Sequence, residues 1–396
     1  MTAVAAGLSD TAFNQLLATV TELGKGVVAS AAVAVDAEAR FPKESFDALR
    51  AEKLLGAYVP TEYGGLGLNI QQICKICETL GRYCASTAMV YAMHQIQVAC
   101  VVNHGHSSDY FQQFMRDICA KQWLLASATT ELGVGGDLRS SRCHVEVSGD
   151  RFTLEKKAPV VSYAQASDAI LVTCRKDANA QAHEQLHVVV FTRDCELEAL
   201  STWDTLGFRG TCSAGFVINA KGSTEQILPA PFADILAQSM HPTAHCTWGS
   251  LWYGLAADAV TKARATVRAA ARKNPNLPPV STLRLAEVDE QLFSMRSGLY
   301  LAIEEYRDLL SVGDADAFTN YGFSIRTNNI KLRCSEMVVD IVGRALMIVG
   351  IMGYKNDTPN TLCRHLRDAY GAALMVNNDR IRGHNAAMQI ALRGDA

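Results

Sequence analysis

The stretch ASATTELGVGGDL, residues 126–138, decides the fold. It opens on small and apolar residues, passes through two threonines and a glutamate, and closes on a run containing Gly133, Gly135 and Gly136. Glycine has no Cβ and tolerates positive φ, so such a run can turn sharply or lie close against a flat partner. Upstream the sequence has a helical period, and downstream it has the texture of strands. The stretch is therefore the junction between two kinds of domain.

Working upstream, the segments TAFNQLLATVTELGKGVVASAAVAVDAEA, FPKESFDALRAEKLL, NIQQICKICETLGRYC and STAMVYAMHQIQVACVV carry apolar residues three and four apart. Their breaks fall at Pro60, Gly64-Gly65 and His104-Gly105, which predicts an all-helical domain over 1–122. Working downstream, HVEVSG, RFTLEKK, DAILVTCR, LHVVVFTR and AGFVINA are short runs rich in Val, Ile, Thr and Phe. Gly149-Asp150 between the first two is a hairpin signal, and the spacing predicts a small antiparallel β-barrel or sandwich over 123–225. After Pro229 and Pro231 the helical period returns in long segments at 244–272, 280–312, 321–352 and 358–390, a C-terminal four-helix bundle over 226–396. The fold class is α+β and multi-domain, in the order helices, strands, helices, with no internal repeat.

The bulk numbers narrow the function classes. A chain of 396 residues is long for one core, and a formal net charge of -3 gives no general attraction to nucleic acid or anionic lipid. The apolar runs read as too interrupted to span a bilayer, and the N-terminus lacks the basic head and continuous apolar core of a signal peptide, so the chain is read as cytoplasmic. Its 12 cysteines are read as reduced thiols used as small apolar residues. Cys74 and Cys77 form a C-x-x-C, but they sit at helical spacing and no second pair follows, so no metal site is expected.

Four segments together carry a resemblance. VPTEYGGLGL (59–68), ASATTELGVGGDL (126–138), WDTLGFRGTCSAGFVI (203–218) and RALMIVGIMGYKNDTPNTLCRHLRDA (344–369) resemble, in order and separation, those of the acyl-CoA dehydrogenases. The resemblance covers nearly the whole chain. It implies FAD as cofactor, a homodimer or homotetramer, an acyl-CoA or acyl-carrier-protein substrate, and electron-transfer flavoprotein or another redox acceptor. Carried over residue by residue, it places the flavin against Ser127, Thr129, Thr130, Gly135, Gly136 and Asp137 of the first loop, with Gly136 where the family usually has serine. It adds Ser162, then Arg209, Thr211 and Ser213, whose arginine offers a fixed fork of donors to phosphate oxygens. Arg272, Met347, Gly350 and Gly353 match segments that reach the FAD of a neighbouring subunit, and Asn378 follows the usual base.

The departures concern chemistry. Counting from Arg367-Asp368-Ala369, the family's catalytic glutamate falls at Val376, and its alternative position on an earlier helix falls at Ala244. Val376 retains only a backbone N–H, a donor of the oxyanion type for a thioester oxygen. Replacement bases are sought at Asp379, His245 and His94, the histidines because imidazole titrates in the useful range. The family's flavin-stacking tryptophan is also gone from LEKKAPVVSYAQASD. The leading expectation is an FAD-dependent acyl-thioester dehydrogenase forming an α,β double bond. A flavin-dependent monooxygenase of the same fold and a catalytically silent subunit stand as alternatives.

Overall fold

The computed structural model describes residues 7–135, 137–273 and 279–392. Six helices come first: α1 (Asp10–Leu23), α2 (Ala29–Ala37), α3 (Lys43–Ala51), α4 (Ile70–Gly81), α5 (Ala85–Gly105) and α6 (Asp109–Lys121). Their starts follow capping chemistry: Ser9 accepts from the Ala12 N–H, and Asn69 and Gln72 form a reciprocal capping box at α4. α6 ends at Gln122, whose φ of 50° breaks the helical path and turns the chain into the first strand. Cys74 and Cys77 are both buried on α4, and burial pushes the Cys74 thiol up to about 12.

Seven strands follow in two sheets. β1 (Leu125–Ala128), β4 (Ala169–Arg175) and β5 (Gln185–Phe191) form one, with β1 parallel to β4 and β4 antiparallel to β5. β2 (Val145–Ser148), β3 (Arg151–Ala158), β7 (Gly215–Ser223) and β6 (Cys195–Ser201) form the other, antiparallel throughout in that order. Between the two parallel strands the chain passes through β2 and β3 of the other sheet. β3 alternates exposed and buried residues, as a strand with one face on a core must.

The last part is helical: α7 (Phe232–Ile235), α8 (His241–Lys273), α9 (Ser281–Val312), α10 (Tyr321–Val349), α11 (Ile351–Tyr354), α12 (Cys363–Leu374) and α13 (Asn378–Ala391). α8 runs 33 residues, about 50 Å at 1.5 Å per residue, and packs against α4, α9 and α10. Two helical segments, Asp10–Ala37 and Ala85–Gly105, are long and apolar enough to cross a membrane, contrary to the reading of the sequence. The second is α5, free of Asp, Glu, Lys and Arg and buried almost throughout, so its apolar surface is covered by the protein core.

Candidate active site

The glycine-rich loop after β1 is held by a buried ion pair. Glu131 accepts hydrogen bonds from the Ser141 hydroxyl (2.7 Å) and from the Arg142 and Cys143 N–H groups (3.1 and 2.7 Å). Lys156 stands at an inward position of β3, where alternation calls for an apolar residue. Its ammonium donates to the Thr173 carbonyl and hydroxyl at 2.6 and 3.0 Å and lies 3.6 Å from Glu131. A buried charge needs such partners. The Thr130 hydroxyl donates to the Val160 carbonyl at 2.9 Å, so only its lone pairs remain for a ligand.

A second feature is a chain of hydroxyls whose direction is fixed. Thr211 donates to the Phe208 carbonyl at 2.8 Å; Ser213 lies 2.8 Å from Thr211, and Ser162 lies 2.8 Å from Ser213. A carbonyl only accepts, so each hydrogen points toward Phe208 and Ser162 ends the chain with its lone pairs free. Arg209 is committed elsewhere: Nε donates to the Asp36 carbonyl at 2.8 Å and Nη1 to Asp204 and the Thr205 carbonyl. That leaves Nη2 as the edge of the guanidinium for the expected phosphate contact.

The Arg367-Asp368 pair fastens three regions together. Arg367 pairs with Asp36 at the end of α2 and donates to the Leu206 carbonyl at 3.2 Å. Buried Asp368 accepts the Phe208 N–H at 2.6 Å, and burial lifts its carboxyl to about 6. Gly207 is required beside it, because a Cβ there would stand 2.2 Å from the Arg367 carbonyl oxygen.

Beyond α12 the backbone enters the left-handed region at two successive non-glycine residues, Val376 (φ 55°) and Asn377 (φ 46°). A β-branched residue is rarely found there, and strain of this kind persists only where surroundings impose it. The imposition is visible one residue on. Asn378 is buried, accepts from the Lys331 ammonium at 2.6 Å, and donates to Ser335 and Glu336. Desolvation lowers the Lys331 ammonium to about 8. Asn378 is thus a structural pin, which corrects its expected contact with the flavin; Lys331, about three turns into α10 and in no recognisable motif, gave no signal in the sequence.

Val376 lines a cavity of about 270 Å³ between the 137–139 segment, α7, the start of α8, α10 and α13. Asp137, Arg139, His241, Ser324, Asn328 and Arg380 supply polar groups around it. The Val376 N–H has no acceptor among the described residues.

None of the three expected bases faces this cavity. His94 is fully buried, its Nε2 against the Leu55 carbonyl at 2.8 Å and its Nδ1 accepting the Leu125 N–H at 3.0 Å. Both ring nitrogens are therefore occupied, and burial lowers the imidazole to about 4. His245 is buried, with Nδ1 donating to the Thr327 carbonyl at 3.0 Å and its pKa held well below the usual range by desolvation. The Asp379 side chain is 93% exposed and pairs with Arg382 at 3.5 Å. His241, one turn before Ala244, does line the cavity, and the sequence reading passed over it.

The residues at this junction fit a flat group with a polar edge, as the implied flavin is. The space beside Gly135 (φ 60°) is open, Ser127 is the half-open residue of otherwise buried β1, and Ser162 presents an unspent acceptor. Thr129 continues from β1 into the same loop, and Gly136 lies outside the described residues. Arg272, Met347, Gly350 and Gly353 are not brought here: Arg272 is exposed near the far end of α8, Met347 is 69% exposed, Gly350 caps α11 and Gly353 lies within it.

Comparison with known proteins agrees with this architecture. Family models described as the acyl-CoA dehydrogenase N-terminal and C-terminal domains match residues 11–122 and 243–376. Cyclohex-1-ene-1-carbonyl-CoA dehydrogenase of Geobacter metallireducens is 24% identical over 366 residues, 89% of this chain and 91% of that protein. Amino sugar nitrososynthase DnmZ of Streptomyces peucetius is 25% identical over 375 residues, 90% and 88% respectively. Among solved structures, butyryl-CoA dehydrogenase from Megasphaera elsdenii superposes with a TM-score of 0.82 at 18% identity, covering 97% of this chain and 99% of that one.

Proposed function

Because this chain belongs to the acyl-CoA dehydrogenase family of FAD-dependent oxidoreductases, we propose that it is an acyl-thioester dehydrogenase, oxidising a thioester seated in the cavity beneath Val376. The observation that carries the reading is the uncommitted Val376 N–H at the cavity wall. A donor held there by a strained turn is preorganised for a thioester oxygen on which negative charge develops. FAD, when bound, takes up the two electrons. Ser127, the loop around Gly135 and the Ser162 acceptor are the groups that would hold its ring edge. The acyl group rides on coenzyme A or on a carrier protein, and electrons leave to electron-transfer flavoprotein or another acceptor. The exposed side chains of Met347, Ile351 and Tyr354 give a second copy of the chain an apolar face to cover.

A second reading, a flavin-dependent monooxygenase, is favoured by one observation: the cavity holds no carboxylate at position 376, and oxygen chemistry needs none. The two readings separate in one assay. The FAD-loaded protein is given a panel of acyl-CoAs, and the same acyl groups on phosphopantetheinyl carrier domains, with an artificial electron acceptor and oxygen excluded. An enoyl product supports the dehydrogenase. Absence of enoyl product from every thioester, together with oxygen-dependent product from reduced flavin, overturns it in favour of the monooxygenase.

A further inference from the structure

The cavity contains one histidine whose tautomer is dictated by its surroundings. His241 Nε2 lies 2.9 Å from the Asn328 carboxamide oxygen. The Asn328 nitrogen donates to the Asn385 oxygen at 2.7 Å, and the Asn385 nitrogen donates to the Asn329 oxygen at 2.9 Å. The chain has a direction. Each carboxamide gives its N–H onward and turns its oxygen back, so Asn328 presents an acceptor to the imidazole and Nε2 must carry the hydrogen. Nδ1 is then a bare lone pair, and it has no partner among the described residues. This is the second-neighbour pattern that fixes which ring nitrogen of a histidine is left for chemistry.

We propose that His241 is the proton acceptor of the cavity, its Nδ1 facing the bound substrate while the Asn328–Asn385 chain holds Nε2–H. The role rests on the dehydrogenase reading for the origin of the proton: the α-carbon C–H breaks, the proton goes to Nδ1, and the electron pair stays on the substrate as an enolate toward the Val376 N–H. The competing groups are less suited. His183 and His384 are exposed, and Asp137 accepts the Arg139 N–H at 3.0 Å. The helix position also fits. His241 is the first residue of α8, packed edge-on against His245 with ring centroids 4.2 Å apart.

The charged and titratable groups around the ring are His245 on α8, Arg139 and Asp137 on the loop, His384 and Arg380 on α13, and Lys331 on α10 beyond His245. Burial lowers the imidazole to about 4, with Arg139 and His384 adding to the effect and the Asn328 hydrogen bond opposing it. The ring therefore stays neutral, and able to accept, at neutral pH.

The test uses FAD-loaded protein containing isotope-labelled histidine. Long-range proton–nitrogen spectra, with the His241 signals identified by their loss in His241→Gln, are expected to show protonated Nε2 and unprotonated Nδ1 at neutral pH. Asn328→Asp offers a carboxylate to the same N–H and is expected to move the titration midpoint of His241 upward and the pH profile of kcat with it, whereas a histidine outside the chemistry would leave the kcat profile in place. The opposite tautomer, or a midpoint unmoved by Asn328→Asp, overturns the assignment without reference to any substrate. In the thioester assay, His241→Gln keeps an N–H for Asn328 but loses the Nδ1 acceptor, and kcat is expected to fall at least about 100-fold with FAD content unchanged. His241→Asp, whose carboxylate can stand where Nδ1 stood and take the proton, recovers part of the loss. If the unaltered protein oxidises no thioester, the dehydrogenase reading fails. If it does and His241→Gln matches it, that reading stands and the His241 assignment is wrong.

Discussion

Replacing Asp368 with asparagine probes the junction where three regions of the chain meet. Oδ1 of the buried Asp368 accepts the Phe208 N–H at 2.6 Å, while Oδ2 has no partner among the described residues. Burial lifts the carboxyl from 3.8 to about 6, with the Phe208 N–H pulling the other way. A carboxyl raised in the folded state stabilises the fold fully below its unfolded pKa, and that contribution is lost as pH rises through the folded value. At about 1.4 kcal/mol per unit, the displacement of about two units leaves the folded protein about 3 kcal/mol worse off at about pH 8 than at about pH 3. Asparagine keeps the acceptor and carries no charge. Its NH2 group takes the place of Oδ2 at a roughly constant cost of about 1–3 kcal/mol. The stability of Asp368→Asn relative to the unaltered protein is therefore expected to rise by about 3 kcal/mol across that pH range. Paired thermal melts followed by tryptophan fluorescence, in buffers of matched ionic strength, would show the gap in melting temperature narrowing and then reversing. A gap of constant size at every pH would refute the reasoning.

Three further outcomes follow from the same geometry. Gly207→Ala forces a Cβ to within 2.2 Å of the Arg367 backbone oxygen and is expected to lower stability by about 2–4 kcal/mol, visible as an early melt; normal melting would mean the loop does not lie on α12. His94→Leu leaves the Leu125 N–H unpaired in the core and the Leu55 carbonyl with only the Gln95 amide at 3.4 Å, a loss of about 1–3 kcal/mol by chemical denaturation, which His94→Gln should partly restore. Asp379→Asn alters a side chain in solvent, so both turnover and FAD retention should stay within about twofold of the original; a large fall in turnover would return Asp379 to the site.

The order helices, strands, helices was legible because each part has its own hydrophobic period. The glycine-rich loop was legible because its residue types are unusual together. What was hidden depends on contacts between distant positions. Lys156 and Glu131 are 25 positions apart and both polar, and nothing local says that they meet in the core. The parallel pairing of β1 with β4 joins strands separated in the chain by two strands of the other sheet, which the composition of neither strand encodes. Asn378 looked like a flavin contact from its place after Val376, and only Lys331, packed beneath it from α10, turns it inward. His241 carried a readable clue, since it precedes Ala244 by one helical turn and shares its face. The carboxamides that orient it come from α10 and α13 and could not be paired from spacing alone.

The claim that a thioester is oxidised beneath Val376 is tested most directly by mixing FAD-loaded protein with one equivalent of an acyl thioester in the strict absence of oxygen and following the flavin absorbance. Rapid bleaching with at least one thioester, matched by an equal amount of enoyl product, is the expected result. A yellow solution that no thioester bleaches, from protein shown to hold a full complement of FAD, would contradict it.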